Sequence, residues 1–276
     1  MVNHKIICGD SKEILKRFKN ESIDLVVTSP PYDNLRDYNG YSFDFKNIAR
    51  ELYRIIKIGG ICVWIVGDQT IDSNETGTSF KQVLYFKEIG FKLYDSMIYE
   101  KNNFSNPSIN RYHQIFEYMF ILTKNYPKTF NPLLDKKNRY AGESSWGKNT
   151  VRQKDGSLKE IPKHIIREYG MRNNIWKYNV GKGYSTTDED AFLHPAIFPE
   201  KLANDHIRSW SNEDDIILDP FVGSGTTLIE CERLNRNSIG VDISKKYCEL
   251  SYKRLLKEVN QIKFGRDKSK IEKIGF

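Results

Sequence analysis

The stretch IILDPFVGSGTT, residues 216–227, decides the fold of this 276-residue chain. Its first three residues are apolar and predict a buried strand, which a glycine-containing turn separates from a helix predicted over 228–234. A strand, a glycine turn and a helix in this order bring backbone amides and a helix N-terminus close to a ligand. The stretch therefore predicts an α/β fold with a ligand-binding turn.

A second strand is predicted over 239–242, and it ends in the carboxylate of Asp242. An acid at this place can accept hydrogen bonds from the hydroxyls of a ribose. A phosphate-binding P-loop is excluded because no Gly-Lys-Ser/Thr follows the glycines, and Leu228 occupies the third glycine position of a dinucleotide fingerprint. The pattern favours a nucleoside cofactor without a pyrophosphate, and S-adenosylmethionine fits that description.

A second motif, Ser29-Pro30-Pro31-Tyr32, follows an apolar run that predicts a strand over 23–28. The two prolines fix the backbone at consecutive positions and remove two amide donors. The carbonyls of such a loop are free to point at a ligand, and an aromatic ring stands beside them. This combination suits a planar amino group, which needs acceptors in its plane and a π face above it.

The two motifs, in this order, resemble those of the amino-methylating DNA methyltransferases of the permuted β type, a family of restriction-modification systems. The catalytic motif of that family, (S/N/D)-P-P-(Y/F), precedes its cofactor motif, D-P-F-x-G-S-G-T-T. Further matches are ICGDS at 7–11, RIIKIGG at 54–60, the strand at 117–124 and HPAIFPEKL at 194–202. Ile58 replaces a proline that is usual in the family, which affects only the end of a helix.

The resemblance and the alternation of predicted strands and helices imply a Rossmann-like, mostly parallel sheet of seven strands with helices on both faces. An antiparallel strand pair, predicted at 91–99 and 115–123, is expected at one edge. The predicted organisation is a catalytic half over 1–123, a target-recognition insert over 124–190, a cofactor-binding half over 191–259 and a basic, poorly packed tail over 260–276.

The resemblance assigns catalysis to Ser29, Pro30, Pro31 and Tyr32. It places S-adenosylmethionine with its adenine near Asp10, and Asp242 is expected at the ribose. The other residues predicted to bind the cofactor are Thr28, Phe198, Pro199, Asp219, Pro220, Phe221, Gly223, Ser224, Gly225, Thr226 and Thr227.

The predicted chemistry is the methylation of an exocyclic amine. Ser29 Oγ and the Pro30 carbonyl would accept the two amine hydrogens, and Tyr32 would stack on the target base. The reaction needs neither a metal nor a covalent enzyme intermediate, and it depends on positioning and oriented acceptors. A base inside a duplex cannot reach such a pocket, so the target is expected to be flipped out.

Several substrates remain open at this point. Methylation at cytosine C5 needs a cysteine after a proline, and none of the four cysteines follows one. Serine at the first motif position is more usual in cytosine-N4 enzymes, so the sequence favours N4 of cytosine over N6 of adenine. Methylation of RNA or of protein glutamine is a more distant alternative, because those families usually place the glycine motif first. A non-catalytic DNA-binding protein would be expected to have a damaged motif, and both motifs are intact.

Charge is unevenly distributed along the chain, which has a net charge of +7. Residues 124–187 contain 14 Lys and Arg against 5 Asp and Glu, and residues 245–276 contain 10 against 4. A basic segment beside an acidic remainder is typical of a surface that binds the phosphates of double-stranded DNA. The predicted DNA contacts are Arg36, Lys124, Arg139, Lys148, Arg152 and Lys154.

The composition agrees with an intracellular enzyme, and the resemblance implies a cytoplasmic prokaryotic protein that works at the nucleoid. The four cysteines have no C-x-x-C spacing and the five histidines are scattered, so neither disulfides nor a metal site is expected. No membrane-spanning stretch or signal peptide is predicted. A cognate restriction endonuclease acting on the same DNA site is the one protein partner that the resemblance suggests, with no direct contact implied.

Overall fold

The structure is a computed structural model, and it describes residues 2–31, 43–104, 107, 109–261 and 269–276. Its strands are β1 (Asn3–Cys8), β2 (Ile23–Thr28), β3 (Ile56–Val66), β4 (Thr70–Ile71), β5 (Asn74–Glu75), β6 (Lys92–Lys101), β7 (Phe116–Thr123), β8 (Lys136–Lys137), β9 (Thr150–Arg152), β10 (Leu158–Glu160), β11 (Tyr169–Gly170), β12 (Ile175–Tyr178), β13 (Ile216–Asp219), β14 (Asn237–Asp242) and β15 (Lys270–Ile274). Its helices are α1 (Ser11–Leu15), α2 (Phe45–Ile55), α3 (Thr78–Glu88), α4 (Glu200–Trp210), α5 (Thr226–Arg233) and α6 (Lys245–Gln261), and a 3-10 helix spans Glu189–Leu193.

Nine of the strands form one sheet in the order β12-β6-β7-β3-β2-β13-β14-β1-β15. Only β7 runs antiparallel to its neighbours, so the mostly parallel α/β sheet and its antiparallel pair β6–β7 are confirmed. The pair was expected at one edge, but β12 pairs with β6 and forms that edge instead. The sheet has two more strands than the seven predicted, because β12 extends it beyond β6 and β15 extends it beyond β1.

The central strands are apolar on both faces because helices cover both. Val26 and Trp64 belong to a core cluster that contains residues of α1, α2 and α3. Their strand neighbours Leu25 and Val63, which point to the opposite face, are also fully buried. Ile6 lies in a second cluster with residues of α5 and α6. Because both faces are buried, the sequences of the parallel strands are nearly continuous runs of hydrophobic residues.

A separate compact unit comprises residues 132–173, while residues 1–131 and 174–276 form the sheet-containing unit. The small unit contains two short antiparallel ladders, β8–β11 and β9–β10. It lies inside the predicted insert of 124–190, and residues 175–178 of that insert belong instead to the main sheet as β12.

The C-terminal segment differs from its prediction. Residues 260–276 were expected to be poorly packed, but β15 pairs in parallel with β1 along Lys270–Ile274. The alternating Ile271 and Lys273 fit an edge strand, and Ile271 packs against the second core cluster. Among the helices that the structure describes, none combines the length and the apolar character needed to cross a membrane.

Gly225 brings the glycine turn into contact with α6. It has a φ of +85°, and a Cβ added to it would lie 2.9 Å from Ser251 Cβ and 3.0 Å from Ser251 Cα. Gly183 has a similar φ of +80°, but nothing lies within 4 Å of its added Cβ. These two glycines therefore separate the effect of backbone conformation from the effect of the close approach.

We expect Gly225→Ala to lower the free energy of unfolding by more than Gly183→Ala does. In both variants, a left-handed non-glycine residue costs about 1–2 kcal/mol. Gly225→Ala adds about 1–3 kcal/mol of overpacking against α6. Urea unfolding of the two variants and the parent measures the difference. An equal decrease in the free energy of unfolding in both variants would mean that α6 moves to accept the added methyl group at no energetic cost.

Candidate active site

A cavity of about 250 Å³ opens at the carboxyl edge of the sheet. The parallel strands β2, β13, β14 and β1 are adjacent, so the segments that follow them meet at this edge. Ten of the predicted catalytic and cofactor residues line the cavity: Asp10, Ser29, Pro30, Pro31, Phe198, Phe221, Gly223, Ser224, Thr226 and Asp242. Thr28, Pro199, Asp219, Pro220, Gly225 and Thr227 do not line it and lie one or two residues away along the chain.

Asp242 lies at the end of β14, as the sequence predicts. One of its carboxylate oxygens accepts a hydrogen bond from the Gly223 backbone N–H at 3.0 Å, and the other accepts one from the Ser244 N–H at 2.8 Å. Burial raises the pKa of this carboxyl above its ordinary value. Each oxygen has a second lone pair, so the carboxylate can still accept a hydroxyl from the cavity.

Asp219 has a different role from Asp242, because its side chain is buried behind the cavity. Its carboxylate accepts hydrogen bonds from Thr28 Oγ1 at 2.7 Å, Thr227 Oγ1 at 2.8 Å and the Phe221 N–H at 3.0 Å. Burial raises its pKa to about 6 despite these three donors. One side chain therefore holds the end of β2, the end of β13 and the start of α5 in place by hydrogen bonds. These three segments lie directly behind the cavity wall.

The glycine turn after β13 is fixed by backbone contacts on several sides. The Val222 N–H donates to the Val241 carbonyl at 2.9 Å, and Arg254 Nη1 donates to the Ser224 carbonyl at 2.5 Å. Gly240 allows this close approach, since a Cβ there would lie 2.6 Å from Val222 Cγ2. The turn therefore rests directly on β14 and presents Gly223 and Ser224 to the cavity.

His194 forms a wall of the cavity that the predicted site residues did not include, although its motif was recognised. Its ring packs edge-on against Tyr247, with 4.3 Å between ring centroids. A Cβ added to Gly223 would lie 3.0 Å from His194 Nε2, so a glycine is needed at this contact. The His-Pro-Ala segment thereby closes the cavity over the glycine turn.

The loop after β1 joins the cofactor side of the cavity. Asp10 is the N-cap of α1, and its carboxylate accepts the Lys12 N–H at 2.9 Å. Ser11 Oγ donates to the Pro220 carbonyl at 2.5 Å, which connects this loop to the loop after β13. Asp10 thus reaches the cavity from the strand next to β14.

The predicted catalytic loop contributes Ser29, Pro30 and Pro31 to the cavity. Tyr32 and Arg36 lie outside the described residues. The wall beyond this loop also contains Tyr99, Lys101 and Glu117, which the sequence reasoning did not select. Their signal in the sequence was weak, because isolated polar residues at the ends of predicted strands are common in any sheet.

The other predicted DNA-contacting residues lie in two places. Arg139, Lys148, Arg152 and Lys154 belong to the compact unit of residues 132–173 and are all exposed. Lys124 belongs to the sheet-containing unit, just after β7, where its ammonium pairs with Glu21 at 3.0 Å. Since β7 runs antiparallel to β3, Lys124 lies at the edge of the sheet opposite the cavity, a placement that does not favour a DNA contact.

The residues of the cavity fit S-adenosylmethionine. Asp242 is suited to ribose hydroxyls and Asp10 to the amine of an adenine, and Phe198, Phe221 and Ile243 supply apolar surface for the adenine ring. Gly223 lines the cavity and has no side chain, so its backbone is accessible to a bound ligand there. The fold and the site together define an S-adenosylmethionine-dependent methyltransferase.

The comparisons with known proteins agree with this class. The profile of the DNA methylase family matches residues 23–253. The orphan methyltransferase M.BamHII of Bacillus amyloliquefaciens is 55% identical over 235 residues, which cover 85% of this chain and 89% of that protein. The type II methyltransferase M.SmaI of Serratia marcescens is 26% identical over 295 residues, covering 92% of this chain and 91% of its own.

Two solved structures share the fold. The PvuII DNA methyltransferase (cytosine-N4-specific) has a TM-score of 0.66 at 20% identity, covering 99% of this chain and 95% of its own. The putative DNA modification methylase TTHA0409 of Thermus thermophilus, complexed with S-adenosyl-L-methionine, has a TM-score of 0.64 at 24% identity and covers 99% of each chain.

The chain therefore belongs to the DNA methylase family. It is an S-adenosylmethionine-dependent amino-methyltransferase of DNA, of the restriction-modification type, and the family includes enzymes for N4 and for N6.

We expect Asp242→Asn to weaken the binding of S-adenosylmethionine, because the amide supplies a weaker acceptor to the ribose. A hydrogen bond to a charged group is worth about 1.5–3 kcal/mol. Calorimetric titration without DNA measures the change. Asp214→Asn is the matched control, since Asp214 is exposed before β13 and its φ of +67° suits asparagine. Equal cofactor affinity in all three proteins would remove Asp242 from the cofactor site.

Proposed function

We propose that this protein transfers the methyl group of S-adenosylmethionine to N4 of a cytosine that is flipped out of duplex DNA. The observation that carries the proposal is that Ser29, Pro30 and Pro31 line the same cavity as Asp242 and the glycine turn. A serine at the first motif position favours cytosine N4 over adenine N6. The similar fold of the cytosine-N4-specific PvuII enzyme supports the same choice.

The chemistry follows from the groups around the Pro-Pro loop. An exocyclic amine is a poor nucleophile because its lone pair is delocalised into the ring. Ser29 Oγ and the Pro30 carbonyl would accept its two hydrogens and turn its lone pair toward the cofactor side of the cavity. The cofactor, when bound, supplies an electrophilic methyl group on a sulfonium. Proximity and oriented acceptors then account for the rate.

One part of the cavity wall is apolar and favours a dry reaction site. Phe43, Ile48 and Ile197 line it with apolar surface. A dry site suits a displacement in which positive charge leaves the sulfur as it develops on the nitrogen. A base stacked in a duplex cannot enter such a space, so flipping is part of the proposal.

The compact unit of residues 132–173 is proposed to grip the DNA backbone. It contains ten Lys and Arg residues against five Asp and Glu residues. Arg152 ends β9 and Lys154 follows in an exposed turn, where both cations are accessible to phosphate. The proposal also includes work at the prokaryotic nucleoid and a cognate restriction endonuclease that acts on the same site, and both rest on membership of the restriction-modification family.

The target base is identified by sequencing DNA that the purified protein has modified, with detection of both modified cytosine and modified adenine. We expect N4-methylcytosine at one short recurring site. Transfer of tritium from labelled cofactor to DNA, RNA and protein in parallel checks the substrate class. Methylation of adenine alone would contradict the choice of base, and labelling of RNA or protein without DNA would contradict the substrate.

We expect the affinity for duplex DNA to fall with salt at a log–log slope of about −0.9 for each phosphate neutralised. Replacing Arg152 and Lys154 together with alanine should make this slope shallower by about two such increments. Fluorescence anisotropy with a labelled duplex over a range of salt concentrations measures the slopes.

The control for the salt experiment is the double variant Lys19→Ala with Lys87→Ala. Both lysines are exposed at the edge of the sheet opposite the cavity, where Lys19 follows α1 and Lys87 lies in the last turn of α3. The control removes the same charge and should leave the slope unchanged. If the two double variants shift the slope equally, Arg152 and Lys154 make no phosphate contact of their own.

A further inference from the structure

An ion pair lies on the cavity wall away from the predicted cofactor side. Lys101 is the last residue of β6 and Glu117 is the second residue of β7. The Lys101 ammonium lies 2.5 Å from a Glu117 carboxylate oxygen, and the side chains are 23% and 13% exposed. Both residues line the same cavity as Ser29 and Pro30.

The strand order gives the distance between this pair and the catalytic loop. The loop follows β2, and the sheet continues from β2 through β3 and β7 to β6. Adjacent strands are about 4.8 Å apart, so Glu117 and Lys101 start about 10–14 Å from the loop and their side chains extend over the cavity. Asp242 lies on the other side of the loop, at the end of β14. The space between the catalytic loop and the ion pair is therefore wide enough for one flipped base.

Lys101 also supplies a positive charge to the described part of the wall. Among the described residues that line the cavity, Asp10, Glu117 and Asp242 are acidic and Lys101 is the one lysine or arginine. The buried Tyr99 lies beside it, with the ammonium 5.6 Å from the ring centroid. Burial and the Glu117 carboxylate raise the pKa of Tyr99, so its hydroxyl stays protonated.

Cytosine and adenine differ at the position that this cation can reach. Next to its amine, cytosine presents the acceptors N3 and O2, whereas adenine presents the acceptor N1 and then a C2–H. With the amine at Ser29 and Pro30 and the base extending over the cavity toward β7 and β6, the far end of this edge would meet Lys101. A site that donates a hydrogen bond to one acceptor of its substrate rejects an analogue that lacks this acceptor. The bound analogue shields the donor from water and leaves it without that hydrogen bond.

We propose that Lys101, positioned by Glu117, donates a hydrogen bond to O2 of the flipped cytosine and thereby selects cytosine over adenine. This inference rests on the proposed cytosine-N4 function. Glu117 has two parts in it: its carboxylate fixes the lysine rotamer and offsets the lysine charge. The base therefore meets an oriented donor, and less electron density is drawn from the amine that must attack the methyl group.

The test compares Lys101→Met with the parent on two duplexes that carry the modified site. One duplex has cytosine at the target, and the other has a cytosine analogue that lacks O2. Methionine keeps the length of the lysine side chain and removes its charge. Lys177→Met is the matched control, because Lys177 pairs with Glu100 at 2.7 Å on the neighbouring strands, is 63% exposed and does not line the cavity.

Single-turnover methylation at saturating cofactor is the first measurement. We expect Lys101→Met to slow the cytosine duplex by about ten- to a hundredfold, which is the loss of one charge-assisted hydrogen bond. On the analogue, the parent should already be slow, and Lys101→Met should slow it by less than about threefold. The control should match the parent on both duplexes.

Calorimetric binding of S-adenosylmethionine is the second measurement, and it should be equal in the parent and in Lys101→Met. An equal slowing of both duplexes by Lys101→Met, or a loss of cofactor affinity, would overturn the assignment of Lys101 to O2. Failure of the proposed function is seen separately, as a parent protein that does not methylate cytosine in either duplex.

Discussion

The carboxylate of Asp219 lies at the point where the two halves of the sheet meet, and three structural elements depend on its hydrogen bonds. It accepts from Thr28 at the end of β2, from Thr227 in the first turn of α5 and from the Phe221 N–H after β13. The first element leads into the Pro-Pro loop, and the other two form the turn that faces the cofactor side. One buried acid therefore sets the distance between the predicted catalytic and cofactor groups.

This dependence explains why two motifs about 190 residues apart in sequence serve one cavity. Parallel strands end at the same edge, and β2 and β13 are neighbours although the chain between them contains ten other strands. The energetic cost of burying a carboxylate appears in its pKa, which burial raises to about 6. The three donors limit this cost, and their geometry fixes the loops.

The parts of the structure that the sequence predicted well are those with a strong local pattern. The run 216–218, the glycine turn and Asp242 are local signals, and they gave the strand, the turn and the carboxylate at the end of β14 correctly. β12 and β15 were missed because edge strands are short and polar on one side, so their pattern resembles that of a loop.

Asp219 was predicted to bind the cofactor, yet its contacts run behind the cavity, and only the three-dimensional arrangement of Thr28 and Thr227 reveals this. Lys101 and Glu117 were missed for a related reason, since their pairing is created by the register of β6 and β7.

The contact of the glycine turn with β14 has a consequence for how the cofactor side works. Val222 rests on Gly240 without an intervening side chain, and hydrogen bonds from Val222 to Val241 and from Arg254 to Ser224 hold both sides of the turn. A turn fixed in this way is already ordered before a ligand arrives, so its conformational entropy is lost during folding and not during binding. The surface that would receive the cofactor is therefore rigid. The packing of the turn against the sheet determines its shape.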